Sequence, residues 1–306
     1  MTDIRPVNWL RIAVLAMIWG ASFMAVSVAL EGVGPFTVVA VRLGLGAVFL
    51  VSLTMISGHG LPQVKGPLAG RIWAFVLAMA LFSNVVPFAL LGWGLQVVAS
   101  GFAGVCMAVV PLLVLPLAYL FVPGEGIGWR RVLGFGLGTL GVVVLIGPGA
   151  FASTGESLEG LAKLACVGAA CCYAVGGIFT RLCPAVDLLA LSAAVLLVAA
   201  VIALPLALYM EGWPGEVPGM SLAALLYLGL LPTGVAQILL VTIIRDAGPV
   251  FMGLVNYQVP VWSVIFGGVV LGEALPPSLF LAMGLILAGV ALSQWGPLSR
   301  MFRRGR

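Results

Sequence analysis

The chain is a succession of long apolar runs separated by short polar joints. Apolar stretches occupy 9–30, 35–57, 71–92, 101–122, 129–149, 159–182, 187–210, 220–242, 248–271 and 277–296. An α-helix rises ~1.5 Å per residue, so ~20 apolar residues cross the ~30 Å hydrocarbon layer of a bilayer. Each run has roughly that length and predicts one transmembrane helix. The runs are continuously apolar instead of alternating at period two, which argues against a β-barrel. The fold class expected is an all-α integral membrane protein of ten transmembrane helices. No joint exceeds about fifteen residues, which leaves no room for a separate soluble domain. The first run is too long for a signal-peptide core, and no small-x-small site followed by a soluble chain marks a cleavage point.

Composition strengthens this reading. Hydrophobic residues make up 62% of the chain, charged residues 8%, and the mean hydropathy is +1.23. Soluble domains carry ~25% charged residues to keep a surface wet. A chain this apolar has no means of covering a water-facing surface, so its partner is the lipid bilayer.

Charge sets the orientation. With the N-terminus inside, the inner joints and termini collect Arg5, Arg11, Lys65, Arg71, Arg130, Arg131, Arg181, Arg245, Arg300, Arg303, Arg304 and Arg306, twelve of fourteen basic residues. The outer joints hold Glu31, Glu156, Glu159, Glu211, Glu216 and Glu273, with Lys163 alone against them. Basic residues mark the cytoplasmic side. Both termini are therefore expected to be cytoplasmic, with an even number of spans. The net charge of +4 reflects topology and implies no nucleic-acid partner.

The chain also repeats itself at about half its length. PLLVLPLAYLFVPGE from Pro111 is echoed by PVWSVIFGGVVLGE from Pro260, and GLGTLGVVVL from Gly136 by GLILAGVALS from Gly284. AMIWGAS at Ala16–Ser22 has a fainter counterpart in CCYAVGG at Cys171–Gly177. Two units of five spans, residues 1–152 and 153–306, are expected. Five is odd, so consecutive units insert with opposite orientation and form an inverted repeat. Such halves are suited to rock about a central site and expose it to each side in turn.

Several of these residues carry a resemblance. Trp19-Gly20-Ala21-Ser22-Phe23, then Gly34-Pro35 with Arg42 seven residues inside the second span, then Pro111 closing on Gly124-Glu125 and Pro260 on Gly272-Glu273, resemble the ten-helix EamA-type members of the drug/metabolite transporter superfamily. Within it the chain is most similar to bacterial aromatic amino acid exporters. The resemblance implies an exporter of small organic metabolites in the bacterial inner membrane, amino acids first and aromatic ones favoured. The second repeat has apolar residues around Leu196 where the first has Arg42, so two-fold symmetry of the site chemistry is broken.

Arg42 is the one charge well inside a span, about 10 Å from the outer end of its helix. A charge at mid-membrane costs at least ~2.5–3.5 kcal/mol and is a functional candidate. It either receives a substrate carboxylate or bonds carbonyls of a neighbouring helix. Uncharged polar groups add to it: Asn84 in the third span, Gln237 in the eighth, and Asn256-Tyr257-Gln258 before Pro260 in the ninth. Amides in hydrocarbon need partners, so these face the bundle interior, either bonding other helices or lining a cavity. Asn256 and Pro260, four apart, share one helix face, and the proline frees the Asn256 carbonyl. Trp19, Ser22, Tyr173, Tyr257 and Trp262 complete the candidate substrate site, suited to a zwitterion with an apolar or aromatic side chain. Pro87, Pro111 and Pro260 are candidate bends, and Trp9, Trp73, Trp129 and Trp295 fall at span ends as interfacial anchors.

Other chemistry is not evident. No GxxxxGK[ST] loop occurs, and no ATPase subunit is implied. His59 is the single histidine, and Cys106, Cys166, Cys171, Cys172 and Cys183 show no metal-ligand spacing and read as packing residues. No metal or cofactor is expected. Every acid lies at a span end or in a joint, so coupling through a buried carboxylate is not expected; Glu31 and Glu273 are the remaining coupling candidates. Gly134-x-x-x-Gly138 and Gly284-x-x-x-Ala288 are expected to form a packing seam within each half, or else a dimer face, and the chain is expected as a monomer or weak dimer. The alternatives are a drug or nucleoside-type exporter and, in a different class, a membrane-embedded enzyme on lipid-linked substrates.

Overall fold

A computed structural model of the chain describes residues 5–122, 128–147 and 158–296. Gly124-Glu125, Glu156, the boundary at 152/153 and the arginines from Arg300 onward lie outside the described residues. Within them stand ten apolar helices. These are α1 (Pro6–Leu30), α2 (Pro35–Ile56), α3 (Ala69–Gly94), α4 (Ser100–Phe121), α5 (Trp129–Ile146), α6 (Glu159–Leu182), α7 (Leu188–Glu211), α8 (Gly219–Ala247), α9 (Pro249–Val269) and α10 (Pro277–Ser293). Nine are long and apolar enough to span a membrane, and α10, at 17 residues, is shorter. All ten apolar runs are therefore helices. In hydrocarbon every backbone N–H and C=O must be paired internally, which only a helix or a closed barrel achieves.

Proline punctuates the starts. Pro6, Pro35, Pro249 and Pro277 each sit in the first turn, where a missing N–H costs nothing. The joint between α8 and α9 is a single residue, Gly248, whose φ of 86° is open to glycine and strained for other residues.

Irregular turns lie close to the internal prolines. A π-helical turn covers Leu81–Val85 in α3, just before Pro87, and another covers Gly229–Val235 in α8, around Pro232. In α4 the helix is interrupted at Ala108–Val109, ahead of Pro111, and in α9 at Gly253–Leu254, ahead of Pro260. The distortion about Pro232 is one that the proline positions alone had not marked as a bend.

The helices pack in a scheme that survives exchange of the first five for the last five. α1 packs on α9 and α8, and correspondingly α6 packs on α4 and α3. α2 pairs with α7, α5 with α10, and the cross-pairs α2–α8 and α7–α3 also correspond. Along the α5–α10 seam backbone meets backbone. A Cβ on Gly134 would come 2.5 Å from the Gly289 carbonyl oxygen, and one on Gly141 would come 2.7 Å from Ile286. The expected seam within each half is thus corrected: the glycines of α5 meet Gly289 of α10 across the two halves, while Gly284 faces open space. Without side chains in the way, the backbones approach closely and gain dispersion contacts, which drive helix association where water does not.

Side-chain ties close the two ends differently. At the near end, where α1 begins, Arg11 pairs with Asp246 at 2.5 Å and Arg245 with Asp187 at 2.7 Å, linking the end of α8 to the starts of α1 and α7. At the far end, acids cap helix N-termini. Glu211, ending α7, accepts from the backbone of Phe36 and Thr37 and from the Thr37 hydroxyl at 2.7–2.9 Å. Glu273 accepts from Ser100 N at 2.7 Å and Gly101 N at 3.1 Å. Orphan N–H groups and the positive end of the helix dipole both favour a carboxylate there.

Candidate functional site

A cavity of about 640 Å³ occupies the middle of the bundle. Its walls come from α1, α2, α3, α4, α6, α7, α8 and α9, while α5 and α10 contribute nothing. It runs from mid-depth towards the near end, where Leu188, Ile244 and Pro249 line it. A second, small cavity of about 40 Å³ lies further towards the far end among Val26, Val38, Leu91 and Leu95. Ser22, Phe23, Arg42, Phe88 and Tyr173 border both, so they form the neck between them.

Arg42 stands at that neck, 9% exposed. Its Nε donates to the Thr233 hydroxyl at 2.9 Å, and its guanidinium carbon lies 3.9 Å from the centroid of the Phe88 ring. Tyr173 meets the same ring edge-on at 6.4 Å. Of the two alternatives for this arginine, neither is exclusive: it bonds a neighbouring helix, but through a hydroxyl and one nitrogen only. No described carboxylate pairs with it, and the remaining guanidinium N–H groups border the cavities. A buried, unneutralised cation with free donors is a ready receptor for a planar anion such as carboxylate.

The irregular turns position its surroundings. Pro232 has no N–H to give to Leu228, and the Thr233 hydroxyl takes that carbonyl at 2.8 Å while accepting from Arg42. The carbonyl of Pro232 itself accepts the Trp19 indole N–H at 3.1 Å. In α3 the Asn84 amide donates to the Met79 carbonyl at 3.2 Å. Ser22 donates to the Trp19 carbonyl at 2.6 Å. Towards the near end, Gln237 donates to the Ser192 hydroxyl at 2.6 Å, and Asn256 lines the wall beside Pro260 on the same face.

Seven of the nine residues singled out in the sequence share this cavity: Trp19, Ser22, Arg42, Asn84, Tyr173, Gln237 and Asn256. The other two lie outside its lining. Tyr257 turns its hydroxyl into the protein, where it is buried without a partner, and Trp262 stacks on Phe266 at 5.8 Å and packs on Gly20 of α1. Thr233, Phe88, Ser83 and Ser192 are wall residues the sequence reading passed over. The signal for Thr233 was its position beside Pro232, where a freed carbonyl needs a donor; Phe88 looked like any apolar residue. Glu31 closes α1 at the far end and Glu273 caps α4, so neither lies on the cavity wall.

A polytopic helical protein with a central, largely apolar cavity that carries a few polar groups and narrows at one end has the architecture of a membrane transporter. Comparison with known proteins gives the family. The pattern of the EamA-like transporter family matches residues 9–147 and again 160–295, and the chain belongs to that family. It is 26% identical over 287 residues to the S-adenosylmethionine/S-adenosylhomocysteine transporter of Chlamydia trachomatis serovar D, covering 90% of this chain and 86% of that protein. It is 28% identical over 290 residues to the uncharacterized inner membrane transporter YedA of Escherichia coli K12, covering 92% and 89%. A crystal structure superposes with a TM-score of 0.67 at 23% identity, covering 95% of this chain and 98% of the other, and shares the fold.

Proposed function

We propose that this membrane transporter is an inner-membrane exporter of small carboxylate-bearing metabolites, amino acids first and aromatic ones favoured, working by alternating access around the central cavity. The observation that carries the reading is Arg42, buried at the cavity neck with free donors and no described carboxylate partner. Phe88, Tyr173 and Trp19 around it suit an apolar or aromatic side chain. The two relatives' names support a membrane carrier, and the substrates named for the Chlamydia protein are α-amino acids bearing an aromatic base. The basic residues at the near end support a cytoplasmic orientation of that end. The cavity then faces the cytoplasm, where an exporter loads, and the two five-helix halves rock to expose it on the far side. No described acid lines the cavity, which supports facilitated or exchange transport over coupling through a buried carboxylate.

The test is uptake of labelled phenylalanine, tryptophan, threonine and one nucleoside into proteoliposomes preloaded with unlabelled substrate. Saturable uptake of the amino acids, lost in Arg42→Gln, is expected. Uptake of the nucleoside alone would overturn the substrate class while leaving the carrier.

A further inference from the structure

The cavity contains a second group of unsatisfied polar side chains, on the near-end side of Arg42. Asn256 on α9 lines the wall, half-buried, and its side-chain amide makes no hydrogen bond with any described residue. Gln237 on α8 spends one N–H on the Ser192 hydroxyl and keeps its carbonyl oxygen free. An amide presents a donor and an acceptor side by side, so it pairs bidentately with any group offering the reverse pattern. Both amides face the cavity, so they are available to whatever enters it.

The separation from Arg42 follows from helix geometry. Arg42 lies fourteen residues from the near end of α2, and Asn256 seven from the near end of α9. At ~1.5 Å per residue their depths differ by about 10 Å. On α8, Thr233, the partner of Arg42, and Gln237 are about one turn apart, ~6 Å. The cavity volume of about 640 Å³ lies within the range that holds a drug-sized ligand and exceeds what a free amino acid fills.

We infer that Asn256 and Gln237 form a second subsite, for an uncharged planar group carrying adjacent donor and acceptor atoms, such as a nucleobase or carboxamide edge. The preferred substrate then carries a carboxylate at one end and that edge roughly 6–10 Å away. The inference rests on the carboxylate reading of Arg42 and extends it.

A matched set of three ligands separates the two. S-adenosylhomocysteine carries both groups, its decarboxylated amine lacks the carboxylate, and the analogue with phenyl in place of adenine on the same ribose replaces the base alone by a ring without donor or acceptor. Binding to the full chain in nanodiscs is measured for each. S-adenosylhomocysteine is expected to bind about tenfold or more tighter than the phenyl analogue, the scale of one or two neutral hydrogen bonds. Asn256→Leu or Gln237→Leu should shrink that ratio towards one. Equal affinity of the two ligands for the wild type, or a ratio that survives both substitutions, would overturn the second subsite. Undiminished affinity for the decarboxylated amine would instead overturn the reading of Arg42. Each variant's thermal unfolding midpoint is read alongside, and if one fails to fold the other carries the comparison.

Discussion

Asn84 in α3 and Thr233 in α8 make the same contact in corresponding helices: each side chain donates to the carbonyl five residues back, Met79 at 3.2 Å and Leu228 at 2.8 Å. Each lies in a π-helical turn on the cavity wall. A π-turn leaves the regular ladder and often marks a functional site. Here the side chain makes good what the backbone loses. Asn84→Ala should lower stability by about 1 kcal/mol, read as a lower unfolding midpoint in detergent. Thr233→Val, which also strips a partner from Arg42, should reduce uptake far more than Asn84→Ala does. Equal effects on uptake would count against a role for the Arg42–Thr233 bond.

For Arg42 the contrast between lysine and glutamine is informative. Lysine keeps the charge but loses the planar group that lies on Phe88 and the Nε bond to Thr233. Substrate affinity in counterflow should fall about tenfold in Arg42→Lys and about a hundredfold in Arg42→Gln, the range for charge-assisted hydrogen bonds. An unchanged affinity in both would remove the arginine from the binding site.

Glu211 ties the far ends of α7 and α2 through three hydrogen bonds. Glu211→Gln keeps the shape and weakens the cap by losing the charge. The expected outcome is a far end that opens more readily. A cysteine placed at Val38, in the small far-end cavity, should then react faster with a membrane-impermeant thiol reagent. No change in rate would show that the cap does not restrain that end.

The α5–α10 seam gives a paired test. Gly289→Leu drives a side chain into the backbone of Gly134 and Gly138, whereas Gly284→Leu points into open space. The first should abolish monodisperse purification, and the second should leave yield and unfolding midpoint close to wild type. Overpacking of this kind costs ~1–3 kcal/mol or more where the neighbour is backbone.

Asp187 supplies a pH dependence outside the spans. Partial burial pushes its carboxyl up, but the N–H groups of Ala190 and Leu189 and the charges of His59 and Arg245 outweigh this, leaving it below the ordinary 3.8. A carboxylate held low stabilises the fold above its unfolded value, and that stabilisation is lost as pH falls through the folded value. The stability gap between wild type and Asp187→Asn should therefore be full at pH 6 and shrink below pH 4. A gap independent of pH would assign the effect to shape instead of charge.

Much of this architecture was legible in the sequence because the bilayer leaves so few options. Runs such as 187–210 are helices from length and apolarity alone, and α7 follows it within a residue at each end. The polar candidates were found for the same reason: an amide or arginine in hydrocarbon is conspicuous. Direction within the helix was not. Tyr257 adjoins Asn256, so both read alike in sequence, yet one lines the cavity and the other turns its hydroxyl inwards. Trp262 likewise lies past the proline on a face that meets α1. Phe88 was invisible because its importance lies in a contact with Arg42, not in its own chemistry. The seam was misjudged because a small-residue motif identifies a close approach and says nothing of which helix arrives.

The joint at Gly248 has a mechanical consequence. With one residue between them, α8 and α9 have little slack at the near end, and a shift of one along its axis is passed to the other at that joint. Thr233, Gln237 and Asn256 all ride on this pair. Displacing Arg42 from Thr233 therefore acts directly on Gln237, in the same helix, and reaches Asn256 only through two breaks in the rod, Gly248 and Gly253–Leu254.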